Sequence, residues 1–319
     1  MPRFNVTTIG EGQLRYSVPA GIRLEEANRL HVNISGTEAN VTGLLSRLDW
    51  SCGWVSRLPN TPMGRRVYNR FHLLGLDLSA VTWSNGHRVA TYYVEYAQPP
   101  RSTQVYYDRA DTCFTNISPE HIDWDYLLNT QLLHLSGLTA PLSPSILAIM
   151  LEAVDRANAA GVAVSFDMNY RSRLWSPEDA AATVSPILEK VDLLFFGRSD
   201  AKILFGIDGT PQEIVEQLGQ RTKASHIITS MSSDGIIGWD RSNFYLEPAR
   251  PVVIIDRIGA GDGMVAGVID GWLQNNFELG LKTGAMTAAL ALSQWGDQVM
   301  TNREELQMLL GSEWVGITR

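Results

Sequence analysis

"DRIGAGDGMVAG", residues 256–267, sets two glycines and an aspartate directly ahead of an apolar run with helical spacing. Glycines at 259 and 261 let backbone N–H groups approach an anion, and the helix opening near 261 adds the positive end of its dipole. The stretch lacks the Gly-Lys-Ser/Thr ending of a Walker A loop. It is also a poor dinucleotide fingerprint: Met264 stands where a third glycine is needed, and the loop falls late in the chain. Asp262 sits in the first helical turn, where a carboxylate can cap free N–H groups. Taken alone, the loop fits a helix cap as well as a catalytic base.

Ahead of this loop, short apolar runs read as buried strands: "FNVTTIG" (4–10), "LLHLSG" (132–137), "GVAVSFD" (161–167), "DLLFFG" (192–197) and "HIITS" (226–230). Segments of helical spacing lie between or beside them, at 37–48, 143–161 and 176–191, and two Ala/Gly/Met-rich helices are predicted at roughly 260–275 and 277–294. Apolar strands alternating with amphipathic helices imply βαβ units and a parallel sheet covered on both faces. One region breaks the rhythm. "HRVATYYVEYAQPPRSTQVYYDRADTCF" (87–114) alternates β-branched and aromatic residues with polar ones around a Pro-Pro turn, the pattern of an antiparallel hairpin with one wet face. The expectation is a single α/β domain over 1–319 with a β lid formed mainly by about 87–114 and parts of 12–35.

Composition narrows the function classes. The 319 residues carry 34 acidic and 26 basic side chains, a net charge of −8 that argues against a nucleic-acid partner. Two cysteines are too few for a disulfide framework or a Cys-rich zinc site. The six histidines show no metal-ligand spacing, and no Gly-x-Ser-x-Gly elbow is present. No signal-peptide pattern opens the sequence and no run approaches a membrane span, so a cytoplasmic protein without a membrane partner is expected.

The Gly-Ala-Gly-Asp at 259–262, in this order of elements, resembles the ribokinase-like (PfkB) family of sugar kinases over nearly the full length. That resemblance implies a three-layer ribokinase-like fold with a mainly parallel central sheet and a small β-sheet lid. It makes Asp262 the base that takes the proton of the sugar hydroxyl. Gly259, Ala260 and Gly261 would form the anion hole for the phosphoryl group in flight, which suits a reaction dependent on positioning and charge stabilisation. ATP and Mg²⁺ are implied, with a monovalent cation near Asp256 as in some relatives, and association into a homo-oligomer through the lid.

Within the family the sequence resembles most the 2-keto-3-deoxygluconate kinases. "SGTEANVTGLLSRL" (35–48) is similar to the early sugar-binding stretch, with Gly36 and Asn40 implied to hold sugar hydroxyls. "VYYDRADTC" (105–113) and "ATYYVEY" (90–96) resemble the lid segments that meet the substrate carboxylate, giving that role to Tyr92, Tyr107 and Arg109. "SFDMNYRSRLW" (165–175) resembles the stretch that marks acidic-sugar substrates, with Arg171 facing substrate or phosphate and Asn169 near the nucleotide. A guanidinium fork suits a carboxylate better than a neutral hydroxyl. Arg257 also belongs to this subgroup's loop.

Two nucleotide-side motifs depart from the family. In "GRSDA" (197–201) Gly197 replaces an Asn and Asp200 replaces the Glu that holds Mg²⁺ through water. In "TSMSSDGIIG" (229–238) Ser232 replaces a glycine; Ser230, Ser232, Asp234 and Gly235, with Gly197, Gly259 and Gly261, are the expected nucleotide contacts. Two alternatives stay open: a kinase for a neutral sugar such as fructose, and, motivated by these departures, a sugar-binding regulator with a degenerate nucleotide site.

Overall fold

Leu193, Leu194, Phe195 and Phe196 are four consecutive buried apolar residues, a run that a strand can bury only when both faces of its sheet are covered. The computed structural model, which describes residues 2–311, covers it in that way. Leu193 and Phe195 point into one apolar cluster with β1 (Phe4–Ile9), β4 (Cys52–Val55), α1 (Thr37–Arg47), α8 (Ala260–Leu273) and α9 (Phe277–Leu292). Leu194 and Phe196 point into another, with α4 (Pro144–Ala160), α5 (Pro177–Leu188) and α7 (Pro211–Gly219).

The chain is an α/β protein of three layers. Its eight-stranded sheet has the order β14-β13-β12-β11-β10-β9-β1-β4. The remaining strands are β9 (Thr130–Ser136), β10 (Ala163–Asp167), β11 (Leu193–Gly197), β12 (His226–Ser230), β13 (Ile236–Trp239) and β14 (Phe244–Glu247). Pairing is parallel from β4 to β12, and only β13 and β14 at one edge run antiparallel. The five strands expected from apolar runs are all here, with ends moved by at most two residues. The glycine-rich helices α8 and α9 pack backbone to backbone: a Cβ on Gly267 would lie 2.6 Å from the Gly284 nitrogen.

A smaller sheet of order β3-β2-β7-β8 stands apart, built from β2 (Gln13–Val18), β3 (His31–Ser35), β7 (Ala90–Glu95) and β8 (Gln104–Asp108). The expected hairpin is β7–β8, antiparallel with Tyr92 opposite Tyr107. Strand β2, however, pairs parallel to β7. Two short strands, β5 (Arg57–Pro59) and β6 (Thr82–Ser84), pair separately, and α2 (Pro62–Leu73), α3 (Trp124–Leu128), α6 (Arg198–Phe205) and α10 (Arg303–Gly311) complete the elements. No helix among the described residues is long and apolar enough to cross a membrane.

Candidate active site

The carboxyl ends of β10, β11 and β12 meet the start of α8 and one face of the smaller sheet around a cavity of about 660 Å³. Strand ends are where open α/β sheets gather ligands, and the sequence supplies each with polar residues. Asp167 ends β10 and Asn169 and Arg171 follow it, Gly197 ends β11 and Asp200 follows it, and Ser230 ends β12. Gln13, Tyr92, Tyr107 and Arg109 line the opposite side.

Gly259 is the N-cap of α8 with φ 98°, a left-handed conformation that favours glycine. A Cβ there would also run into the Asp297 carbonyl, whereas one on Gly261 would meet only open space. Among the described residues no hydrogen bond uses the backbone N–H groups of Gly259, Ala260, Gly261 or Asp262; the first helical bond of this turn is Gly263 N–H to Gly259 O. Four free donors at a helix start form an anion-binding site.

Asp262 does not cap them. Its Oδ1 accepts from Thr37 Oγ1 at 2.5 Å and its Oδ2 from Asn40 Nδ2 at 2.7 Å, so α1 fixes the carboxylate while it lines the cavity. Thr37 Oγ1 in turn accepts from Asn169 Nδ2 at 3.1 Å. Loss of hydration raises the Asp262 pKa to about 6, against the two hydrogen bonds, which favour the anion. Neighbouring Asp167 is pushed up to about 8, by burial first and then by the charges of Asp262 and Asp200.

The "SGTEAN" stretch borders the cavity. Gly36 and Asn40 are not in the cavity wall, which takes Ser35 and Thr37 instead. Gly36 is buried where a Cβ would lie 2.5 Å from the Glu11 carbonyl oxygen, and Asn40 orients Asp262. Tyr92 lines the cavity, and its hydroxyl donates to Asp297 Oδ2. Burial first, then the Asp297 charge, hold that phenol protonated with its pKa well above the usual value.

Arg109 is buried, with Nε on Glu11 Oε2 at 2.8 Å and Nη1 without a hydrogen-bond partner. Tyr107 lies beside it, 5.8 Å from the Arg109 guanidinium carbon to the ring centre. Arg171, Arg173 and Arg257 also line the cavity. Arg173 reaches across to the Val105 carbonyl of β8 at 2.5 Å, tying the loop after β10 to the smaller sheet.

On the remaining wall, Gly197, Asp200 and Ser230 reach the cavity. Ser232, Asp234 and Gly235 do not; they form the turn into β13, where Gly235 at φ 104° packs against Glu247 and Ala249. Asp200 accepts from the Tyr170 N–H at 3.2 Å, and burial raises its pKa. Asp167 and Asp200 are hard oxygen donors, both raised by burial and Asp167 also by the Asp200 charge, which suits Mg²⁺ bound through one or two carboxylates, water and phosphate. No group of three or more acidic, His or Cys side chains that could hold a metal occurs among the described residues. Arg198 turns away, toward Asp234 at 3.8 Å and the Gly209 carbonyl.

Beneath the glycine loop lies a network that the sequence reading missed. Arg15 of β2, with a side chain 0% exposed, pairs with Asp256 at 2.5 Å and with Asp297. Asp256 also accepts the N–H groups of Ile258 and Gly296, and Asp297 accepts Ser35 Oγ as well as Tyr92. All four carboxylate oxygens are thus engaged by the protein. At Asp256, where a monovalent cation is expected, the Arg15 guanidinium holds Oδ2 and the Ile258 N–H holds Oδ1.

Residues 8–305 match the pattern that defines the pfkB family of carbohydrate kinases. The chain belongs to that family. This carbohydrate kinase is 32% identical to a 2-dehydro-3-deoxygalactonokinase of Haloferax volcanii, over 98% of this chain and 99% of that protein. The crystal structure of the 2-dehydro-3-deoxygluconokinase of Thermotoga maritima superposes with a TM-score of 0.91 at 28% identity, covering 97% of the kinase and 100% of that chain. A putative ribokinase II of E. coli, in complex with ATP and Mg²⁺, shares the fold at 20% identity, with a TM-score of 0.87, 96% of the kinase and 99% of that chain. Besides Arg15 and Asp297, sequence reading of the kinase missed Thr37 and Glu11. Each acts through a partner remote in sequence, Asp262 lying 225 positions from Thr37 and Arg109 98 from Glu11.

Proposed function

We propose that the kinase transfers the γ-phosphoryl group of ATP to the terminal hydroxyl of an acidic keto sugar, 2-keto-3-deoxygluconate, with Asp262 as the base. The observation that carries this reading is the Asp262 carboxylate, fixed by two bonds from α1 beside four free N–H groups and open to the cavity. With a pKa of about 6 it is mainly ionised at neutral pH and close enough to it to accept a proton efficiently.

As the hydroxyl oxygen bonds to the γ-phosphorus, its proton passes to Asp262 and the bond from phosphorus to the bridging oxygen of ADP breaks. The N–H groups of Gly259, Ala260, Gly261 and Asp262 stabilise the charge on the phosphoryl oxygens in transit. Mg²⁺, held near Asp200 and Asp167, would supply further neutralisation of phosphate charge. Gly197 and Ser230 border the nucleotide, whereas Ser232, Asp234 and Gly235 shape the turn behind it.

The acidic substrate class rests on the arginines. Arg109, which lines the cavity beside Tyr107, and the solvent-facing Arg171 and Arg257 are matched to a carboxylate and to phosphate. Glu11 neutralises only part of this positive wall. The named relatives act on 2-dehydro-3-deoxy (2-keto-3-deoxy) sugar acids, which supports the same class. The smaller sheet then acts as a lid over the sugar in a single catalytic unit. Its outer aromatics, Tyr16 stacked on Tyr93 and the 47% exposed Tyr106, offer a surface to a second copy of the chain.

ADP release measured against a panel of sugar acids and neutral sugars tests the reading. Turnover of 2-keto-3-deoxygluconate well above fructose is expected, with its galactonate isomer as the nearest competitor. Equal or better turnover of fructose would move the kinase to neutral sugars, and ligand-induced thermal stabilisation without turnover would make it a binder.

A further inference from the structure

The Arg15 network links three strands of the smaller sheet to the loop that ends in Asp262. Arg15 comes from β2, Ser35 from β3 and Tyr92 from β7, and all converge on Asp297. Asp297 in turn lies directly under Gly259, so closely that a Cβ on the glycine would overlap its carbonyl. Asp256 opens the same loop and holds its Ile258 N–H at 3.1 Å. Without a positive charge between them, Asp256 and Asp297 would repel each other beneath the anion hole and let the loop spread. Burying two carboxylates is costly unless a cation and hydrogen bonds compensate. One guanidinium does so with two of its nitrogens, and its planar fork fixes the spacing of the two carboxylates.

We infer that Arg15 is a positioning residue, a built-in cation that sets the shape of the 257–261 loop, so that this kinase needs no monovalent metal ion. The charge is covalently supplied, and it also couples the smaller sheet to the anion hole. The inference rests on the family's kinase activity and not on which sugar is phosphorylated.

The test compares wild type, Arg15→Ala and Arg15→Lys in K⁺, in tetramethylammonium and in tetramethylammonium with added guanidinium. Two readouts are taken: kcat with the best sugar of the panel, and Mg²⁺–ATP affinity by calorimetry, which needs no sugar. Wild type should be indifferent to the cation within about twofold. Arg15→Ala should lose about a hundredfold in kcat in tetramethylammonium and regain about tenfold with K⁺ or guanidinium, a rescue that a merely structural residue would not show. A wild-type enzyme that depends on K⁺ would overturn the inference, as would an Arg15→Ala enzyme with unchanged kcat or with a loss that neither ion relieves. If Arg15→Ala does not fold, Arg15→Lys decides. Retention of K⁺-independent turnover within about tenfold of wild type supports the built-in charge, and a larger loss contradicts it.

Discussion

The two walls of the cavity are built differently. On the wall with Asp262 and Arg109 nearly every polar group is braced: Asp262 by Thr37 and Asn40, Arg109 by Glu11, Tyr92 by Asp297 and Asp297 by Arg15. On the wall with Gly197 and Asp200, Gly197 and Ser230 offer little beyond backbone and a hydroxyl, while Asp200 takes one N–H from the loop after β10 and a 3.3 Å contact from adjacent Ser199. A braced wall can be preorganised for charge that develops during reaction. The open wall presents carboxylates whose protonation is favoured by burial, and at Asp167 also by the charges of Asp262 and Asp200, and so depends on ligand and metal to complete it.

Perturbing the braced wall should therefore cost most. Gly259→Ala forces a side chain into a left-handed backbone and against Asp297; kcat should fall by about two to three orders of magnitude, the scale of a lost oxyanion donor. Single-turnover measurements that found chemistry unimpaired would break the contrast between the walls. Arg109→Ala should raise KM for the sugar acid roughly ten- to hundredfold, from loss of a charge-assisted contact worth ~1.5–3 kcal/mol, and leave a neutral analogue nearly unaffected. Asn40→Ala removes a bond that favours the Asp262 anion. The acidic limb of kcat/KM, expected near pH 6, should then move to higher pH, which a pH–rate profile reads directly.

On the open wall, Asp200→Asn should change kcat little at saturating Mg²⁺ and raise the Mg²⁺ concentration for half-maximal rate by about threefold to tenfold. A smaller effect comes from protons alone. Asp167 and Glu38, raised to about 8 and about 7 by burial, bind more protons folded than unfolded. The ligand-free protein should gain stability as pH falls from 8 to 7, seen as a modest rise in Tm; a fall over that window would show these carboxylates ionised.

Local features were legible in the sequence and remote pairings were not. The apolar runs at 192–197 and 226–230 carried the sheet because a strand buried on both faces needs no alternation. The glycine spacing marked the free N–H groups at the start of α8, since the left-handed backbone at 259 favours glycine. Asn40 was recognisable as a polar residue in a helix interior, but its partner was not, because Asp262 enters from 222 residues away. Nothing in the sequence singled out Arg15. Its two carboxylates lie 241 and 282 positions along the chain, and nothing in "GQLRYS" records that β2 pairs parallel to β7 above them. In the turn at 232–235 the glycine was legible as a backbone requirement, and Gly235 at φ 104° packs against Glu247 and Ala249.

The central claim is that Asp262 is a base and not a cap, and Asp262→Asn tests it most directly. The amide keeps the shape and can still meet Thr37 but cannot accept the hydroxyl proton. Turnover of the sugar acid, measured with its dissociation constant, should fall by about two to four orders of magnitude, the range that general-base catalysis contributes, with sugar affinity changed by less than about threefold. An Asp262→Asn enzyme with near-normal kcat would contradict the account and return the residue to a structural role.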